Sequence, residues 1–112
     1  MAGTIKLLEG PTALTNAYGT DIYVPAGPEI DDIVRHIHVS NKTAGAVTFR
    51  IYLGGTGGNV AGTELFYDHS VAAYSVYDWY GLLRITSADF LVGGASAAVS
   101  LTITIMGESV VV

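Results

Sequence analysis

No cysteine occurs anywhere in the chain, so neither disulfides nor thiolate-bound metal can hold it together, and its redox compartment is left open. Charge is scarce too. Asp, Glu, Lys and Arg make up 13% of the residues, against about 25% in an ordinary soluble domain. The basic ones are scattered, at Lys6, Arg35, Lys42, Arg50 and Arg84, in a chain of net charge −5. Nothing forms the basic stripe that displaces phosphate counterions, so nucleic acid is not an expected partner. The opening residues, Met1 to Glu9, lack the long apolar core of a secretory signal. Sustained helical periodicity is missing throughout. So are a G-x-S-x-G nucleophile elbow and a phosphate-binding glycine fingerprint: Gly54 to Gly62 is glycine-dense, but no G-x-G-x-x-G runs through it and no Gly-Lys-Ser/Thr follows.

What is present is apolar and alternating. Half of the 112 residues are hydrophobic and the mean hydropathy is +0.45, enough for one domain, residues 1–112, that buries roughly 65% of its unfolded surface. With so few charges to cover it, some apolar surface is expected to be covered by another chain or another copy. Val47, Phe49, Ile51 and Leu53 alternate with Thr48, Arg50 and Tyr52, the period-two pattern of a strand with one face on a core. Ile37 and Val39 do the same just before, and Lys42 to Gly45 between them predicts a hairpin. The charge-free segment from Phe90 to Gly107 is long enough to suggest a membrane span. Yet Val99, Leu101, Ile103 and Ile105 alternate with Ser100, Thr102 and Thr104, so a half-buried strand is expected, with a break at Gly93-Gly94.

Further strands are expected over Asp21–Val24, Thr63–Tyr67, Val71–Tyr77, Leu82–Thr86, Phe90–Val92 and Ala97–Met106. Ala13 to Asn16 also reads as strand, Asp68-His69-Ser70 and Ser87-Ala88-Asp89 as turns, and Pro25 to Pro28 as a break. Thr4 to Leu8, closed by Gly10-Pro11, reads as an edge strand or as part of an extended N-terminal arm over residues 1–10. Only Glu29 to Val34, with acids just after Pro28, has the makings of a helical turn. About eight strands spaced by turn signals predict an all-β, antiparallel sandwich, most economically a jelly roll or an immunoglobulin-like pair of sheets.

The chemistry-bearing residues are few. His36 and His38, two apart on a strand, project from one face opposite Ile37 and Val39; such a pair can ligate zinc or copper, but a third ligand has to be assumed, because no rule places His69 nearby. No metal and no cofactor is therefore expected. Asp68, Asp78 and Asp89 stand at or beside proposed turns, where their side chains would hydrogen-bond backbone N–H groups. Asn41-Lys42-Thr43 matches a glycosylation triplet but is more simply the turn of the hairpin. Seven tyrosines and one tryptophan supply amphipathic side chains of the kind enriched at interfaces. Tyr74, Tyr77, Trp79 and Tyr80 are the expected contact patch, although alternation allows at most half of them into the core. Ile5, Leu7 and Leu8 of the arm, with His36 and His38, complete the expected interface residues.

Ile37-His38-Val39-Ser40-Asn41-Lys42-Thr43-Ala44-Gly45-Ala46-Val47-Thr48, then Gly57-Gly58, Gly62-Thr63-Glu64-Leu65, Asp78-Trp79-Tyr80-Gly81-Leu82 and Asp89-Phe90-Leu91, resemble small virion proteins of tailed bacteriophages. The resemblance covers roughly residues 35 to 107 by element spacing. It is nearest in character to the capsid cement, or decoration, proteins of short-tailed phages, small jelly rolls that clamp neighbouring major capsid subunits. Membership would imply a non-enzymatic structural protein on the virion surface, assembled in the host bacterial cytoplasm as a homodimer or homotrimer, with the major capsid protein as partner and no membrane. Two other classes fit the composition: a carbohydrate-binding module or receptor-binding tail-fibre tip using exposed Trp and Tyr, and a cupin-like metalloenzyme built on His36 and His38.

Overall fold

The computed structural model describes residues 5–24, 30–55, 58–86 and 88–111. Through them run eight strands: β1 (Ile5–Ala13), β2 (Asp21–Tyr23), β3 (Ile30–Asn41), β4 (Val47–Gly54), β5 (Glu64–Val71), β6 (Val76–Ile85), β7 (Phe90–Ala95) and β8 (Leu101–Val111). They form two four-stranded antiparallel sheets, ordered β1-β8-β3-β6 and β2-β7-β4-β5, packed face to face as a β-sandwich. The pairing is nested. β4 pairs with β5, β3 with β6, β2 with β7 and β1 with β8, as in one long hairpin rolled up so that successive pairs go to opposite sheets.

Alternation sets which residues meet inside. Leu101, Ile103 and Ile105 of β8 are fully buried while Thr102, Thr104 and Met106 between them are not. Val47, Phe49 and Ile51 of β4 and Val34, Ile37 and Val39 of β3 complete the same interior. Each such side chain contributes about 1.5–3 kcal/mol on burial, so the interior between the sheets does the work that disulfides do in small cysteine-rich domains. Expected and observed fold class agree: all-β, antiparallel, eight strands.

Several local expectations need correction. β3 and β4 are not a hairpin; they lie in different sheets, and the chain crosses between them at Lys42–Ala46. The cause is Asn41, buried at the end of β3. Its Nδ2 donates to the carbonyls of Gly45 (2.9 Å) and Val71 (3.0 Å), and its Oδ1 accepts from the Thr43 N–H (2.9 Å) and hydroxyl (2.7 Å). One side chain thus satisfies the corner that ladder hydrogen bonds would satisfy in a hairpin. No helical turn follows Pro28 in the described residues: Ile30 to Val34 is the start of β3, paired with β8. Residues 68–70 are not a turn but part of β5, where Asp68 takes a positive φ of 48° and the register with β4 slips. The turn comes later, at residues 72–75, and Tyr74 stands in it with φ 53°. Ala13 ends β1, and Leu14 to Thr20 follow as loop.

Gly93 and Gly94 break nothing. Both lie within β7, and a Cβ on Gly93 would sit 1.9 Å from the Arg50 carbonyl oxygen, so glycine is there for close strand approach. The strand expected over Leu82–Thr86 is not separate but the second half of β6, which runs through Gly81, and β8 begins at Leu101, not Ala97, after a turn. The segment from Phe90 to Gly107 is two strands, as its alternation indicates. Residues 5–10 of the expected arm belong to edge strand β1, paired with β8. Met1–Thr4, the Pro25–Pro28 break with Glu29, Thr56-Gly57 of the glycine loop and Ser87 lie outside the described residues.

Candidate functional site

The outer face of the β1-β8-β3-β6 sheet is prepared by a fault in its alternation. At Arg35 the register of β3 slips against both neighbours, between Val34 and His36. This bulge shifts the phase of the strand. Asp32 and Val34 point inward before it, Ile37 and Val39 point inward after it, and His36 and His38 therefore face out. Directly opposed residues on antiparallel strands share a face, so the pairs Leu7–Met106, Met106–His36 and His36–Tyr80 make a row across all four strands. Leu7 is 52% exposed and Tyr80 72%. The Tyr80 ring stacks on His36, with centroids 4.4 Å apart and planes 7° from parallel.

One row along lie Thr104, His38 and Asp78. Asp78 Oδ1 accepts hydrogen bonds from His38 Nδ1 (2.6 Å) and His36 Nε2 (2.7 Å), and these hold the Asp78 carboxyl below the usual carboxylate range, His38 contributing most. The three groups are half-buried, and their donor atoms all lie within 4.8 Å of one another, a set able to hold a metal ion. Val76, Leu82 and Tyr80 of edge strand β6 are the large apolar side chains exposed beside them. Leu82 also lines a 170 Å³ apolar notch with Ile37, Leu65, Phe66, Trp79 and Leu83, at the seam between β5 and β6.

Among the residues expected at an interface, Leu7, His36 and Tyr80 come together in one row, with His38 beside it. The aromatic patch, by contrast, divides. Tyr77 and Trp79 point inward and pack against the core, closing the seam with Phe66: ring centroids are 6.0 Å from Phe66 for Tyr77 and 6.4 Å for Trp79. Tyr74 is exposed in the 72–75 turn. Leu8 packs against the core, and Ile5 pairs with Glu108 in the ladder. His69 lies among Phe49, Phe66 and Tyr77, its ring 4.1 Å from that of Tyr77. Met106, Leu82 and the role of Asp78 escape sequence reasoning, because only the pairing of β3 with β6 and β8 places them. The one available signal was the outward parity of His36 and His38.

Other polar groups are committed internally. Tyr23, on β2, donates its hydroxyl across the sandwich to Asp32, which also accepts from Ser109. Burial first and this carboxylate second raise the Tyr23 phenol well above its ordinary range. A cavity of about 490 Å³ opens beside it between β1 and β2, lined among others by Glu9, Asp21 and Lys6. All three arginines are in ion pairs: Arg35 with Glu108 (2.7 Å), Arg84 with Asp31 (Nε to Oδ2 2.6 Å) and Arg50 with Asp68 (2.6 Å). The pairing raises Arg50 and lowers Asp68 from their usual pKa values.

The fold and face define a two-sheet antiparallel β-sandwich with an open, apolar-rimmed outer surface on one sheet. No protein-family model and no curated protein sequence matches the chain.

Proposed function

We propose that this chain is a non-enzymatic structural virion protein that binds the outside of a bacteriophage capsid and clamps neighbouring major capsid subunits. The observation that carries the reading is the row Leu7–Met106–His36–Tyr80 with Leu82 and Val76 beside it, large side chains left open on one sheet face of a charge-poor domain. Covering an exposed Leu, Val or Tyr contributes up to about 1.5–3 kcal/mol each, and a symmetric homodimer or homotrimer would multiply a weak contact by repeated engagement. The nested strand order supports the jelly-roll form of the sandwich, two Greek keys in eight strands. The resemblance of residues 35 to 107 to capsid cement proteins supplies the partner.

Pairing of all three arginines with carboxylates favours a protein partner over nucleic acid. The inward position of Trp79 removes the central platform of a sugar-binding reading, and the outward position of His36 and His38 differs from the enclosed metal of a cupin. The test is co-sedimentation with empty heads of the phage that encodes the chain, after sizing of the purified protein. Wild type is expected to co-sediment as a small symmetric oligomer, and Tyr80→Ala with Leu82→Ser to lose binding while keeping its fold. Equal binding by that double variant would overturn the contact face, and wild type left in the supernatant would overturn the function.

A further inference from the structure

From the geometry of His36, His38 and Asp78 we infer a binding site for one zinc-class divalent cation on the outer face of the β1-β8-β3-β6 sheet. Two imidazoles and one carboxylate are a donor set that borderline cations such as Zn²⁺ take, with a further position left for water or an incoming ligand. Sequence alone offered only two of the three groups. The third arrives because β6 runs antiparallel to β3 with Asp78 opposite His38 and Tyr80 opposite His36.

The donors already converge. Around a tetrahedral zinc, with bonds of about 2.0–2.2 Å, ligand atoms stand about 3.3 Å apart. The present separations from Asp78 Oδ1 are 2.7 Å to His36 Nε2 and 2.6 Å to His38 Nδ1. Opening each by about 0.6 Å, and bringing the two imidazole nitrogens, which lie within 4.8 Å of each other, to the same spacing, admits the ion by side-chain movement. The site is also held in place before an ion arrives. Tyr80 lies flat against the His36 ring, and both histidines and the aspartate project from continuous, paired strands rather than from loops. Little ordering is left to oppose binding.

The exchange is balanced at the atoms concerned. With both histidines neutral, the ion replaces the proton on His36 Nε2 and the proton on His38 Nδ1, and each ring takes its proton at the other nitrogen, so coordination needs a tautomer change and no net proton release. A histidinium would release one proton. The inference is independent of the shell-binding reading: metal uptake is measured on the purified protein with no capsid present.

The experiment is calorimetric titration of the intact chain with Zn²⁺, with Mg²⁺ as the hard-cation control, alongside histidine ¹⁵N NMR. One Zn²⁺ per chain is expected, with Mg²⁺ far weaker, with His36 switching to the Nδ1–H tautomer and His38 to the Nε2–H tautomer. His36→Gln, His38→Gln and Asp78→Asn, each on an open sheet face, are expected to keep the fold by circular dichroism and to weaken uptake by about tenfold or more each. No Zn²⁺ uptake by wild type overturns the site. So does uptake unchanged in the two glutamine variants, or a tautomer shift confined to His69.

Discussion

The two sheets treat the middle of their outer faces in opposite ways, with Leu65 and Tyr67 of edge strand β5 exposed at the side of the covered one. On the β2-β7-β4-β5 sheet the protein covers itself: Arg50 lies between the rings of Tyr18 and Tyr67, 4.2 Å from each, and is held by both oxygens of Asp68. The loop carrying Tyr18 crosses so near β7 that a Cβ on Gly94 would meet the Thr15 and Ala17 carbonyl oxygens at 2.7 and 2.8 Å. Beneath this cover Tyr52 and Val92, paired across β4 and β7, are buried although they are outside the main core cluster. The β1-β8-β3-β6 sheet has no such flap among the described residues, and Leu7, Tyr80, Leu82 and Val76 stay open. Similar alternation therefore yields a closed face where a loop and one cation lie over it, and an open face where they do not.

Substitutions can break this contrast, beginning with the interior that both faces share. Phe49→Ala is expected to cost about 3–5 kcal/mol, seen as a large drop in denaturation midpoint, because Phe49 is fully buried and touches the aromatic seam. Asn41→Ala strikes the crossing that sends β3 and β4 to different sheets and leaves buried carbonyls unsatisfied. About 1–3 kcal/mol is expected from chemical denaturation. Arg50→Ala uncovers the closed face. It removes an exposed ion pair and two ring contacts, so only a small loss in stability is expected, while dye binding to apolar surface rises. Tyr80→Ala on the open face is expected to reduce such dye binding and to leave stability nearly unchanged; an equal stability loss at both faces would erase the distinction.

Proton linkage sharpens the same contrast with smaller effects. Tyr23 titrates higher folded than unfolded, chiefly through burial. Its contribution is therefore complete below the ordinary phenol value of about 10 and lost as pH rises toward the folded value, because the unfolded chain releases the proton first. Alkaline denaturation curves of Tyr23→Phe are expected to lack this slope. Asp68 titrates lower folded than unfolded, through Arg50. Its small contribution is present above the ordinary carboxylate range and lost as pH falls through the folded value. In Asp68→Asn the acid limb is expected to flatten slightly, while Arg50→Ala flattens it to the same degree.

Strand content was legible because burial follows side-chain parity: Val47-Phe49-Ile51 and Leu101-Ile103-Ile105 alternate without fault, and both segments are strands. Partners were not. Whether Lys42–Ala46 is a hairpin turn or a crossing depends on what Asn41 touches, and Val71 is 30 residues away. Bulges at Arg35 and Asp68 each put one residue out of phase, and nothing local marks them. The outward direction of His36 and His38 could be read from Ile37 and Val39. Their convergence on Asp78 could not, since it rests on the alignment of β3 with β6 across 40 residues. The same alignment explains why Tyr77 and Trp79 point inward and Tyr80 outward in one aromatic run.

Nesting of the strands about β4 and β5 also has a consequence in time. Closing an inner pair shortens the loop that the next pair must close, so ordering is cheapest from the centre of the chain outward. Strand β8 is made after β1 and β3, yet it fills the slot between them. On the ribosome, β1 must wait for β8 before its sheet is continuous. The open face is consequently complete only once β8 has been made and has joined β1 to β3.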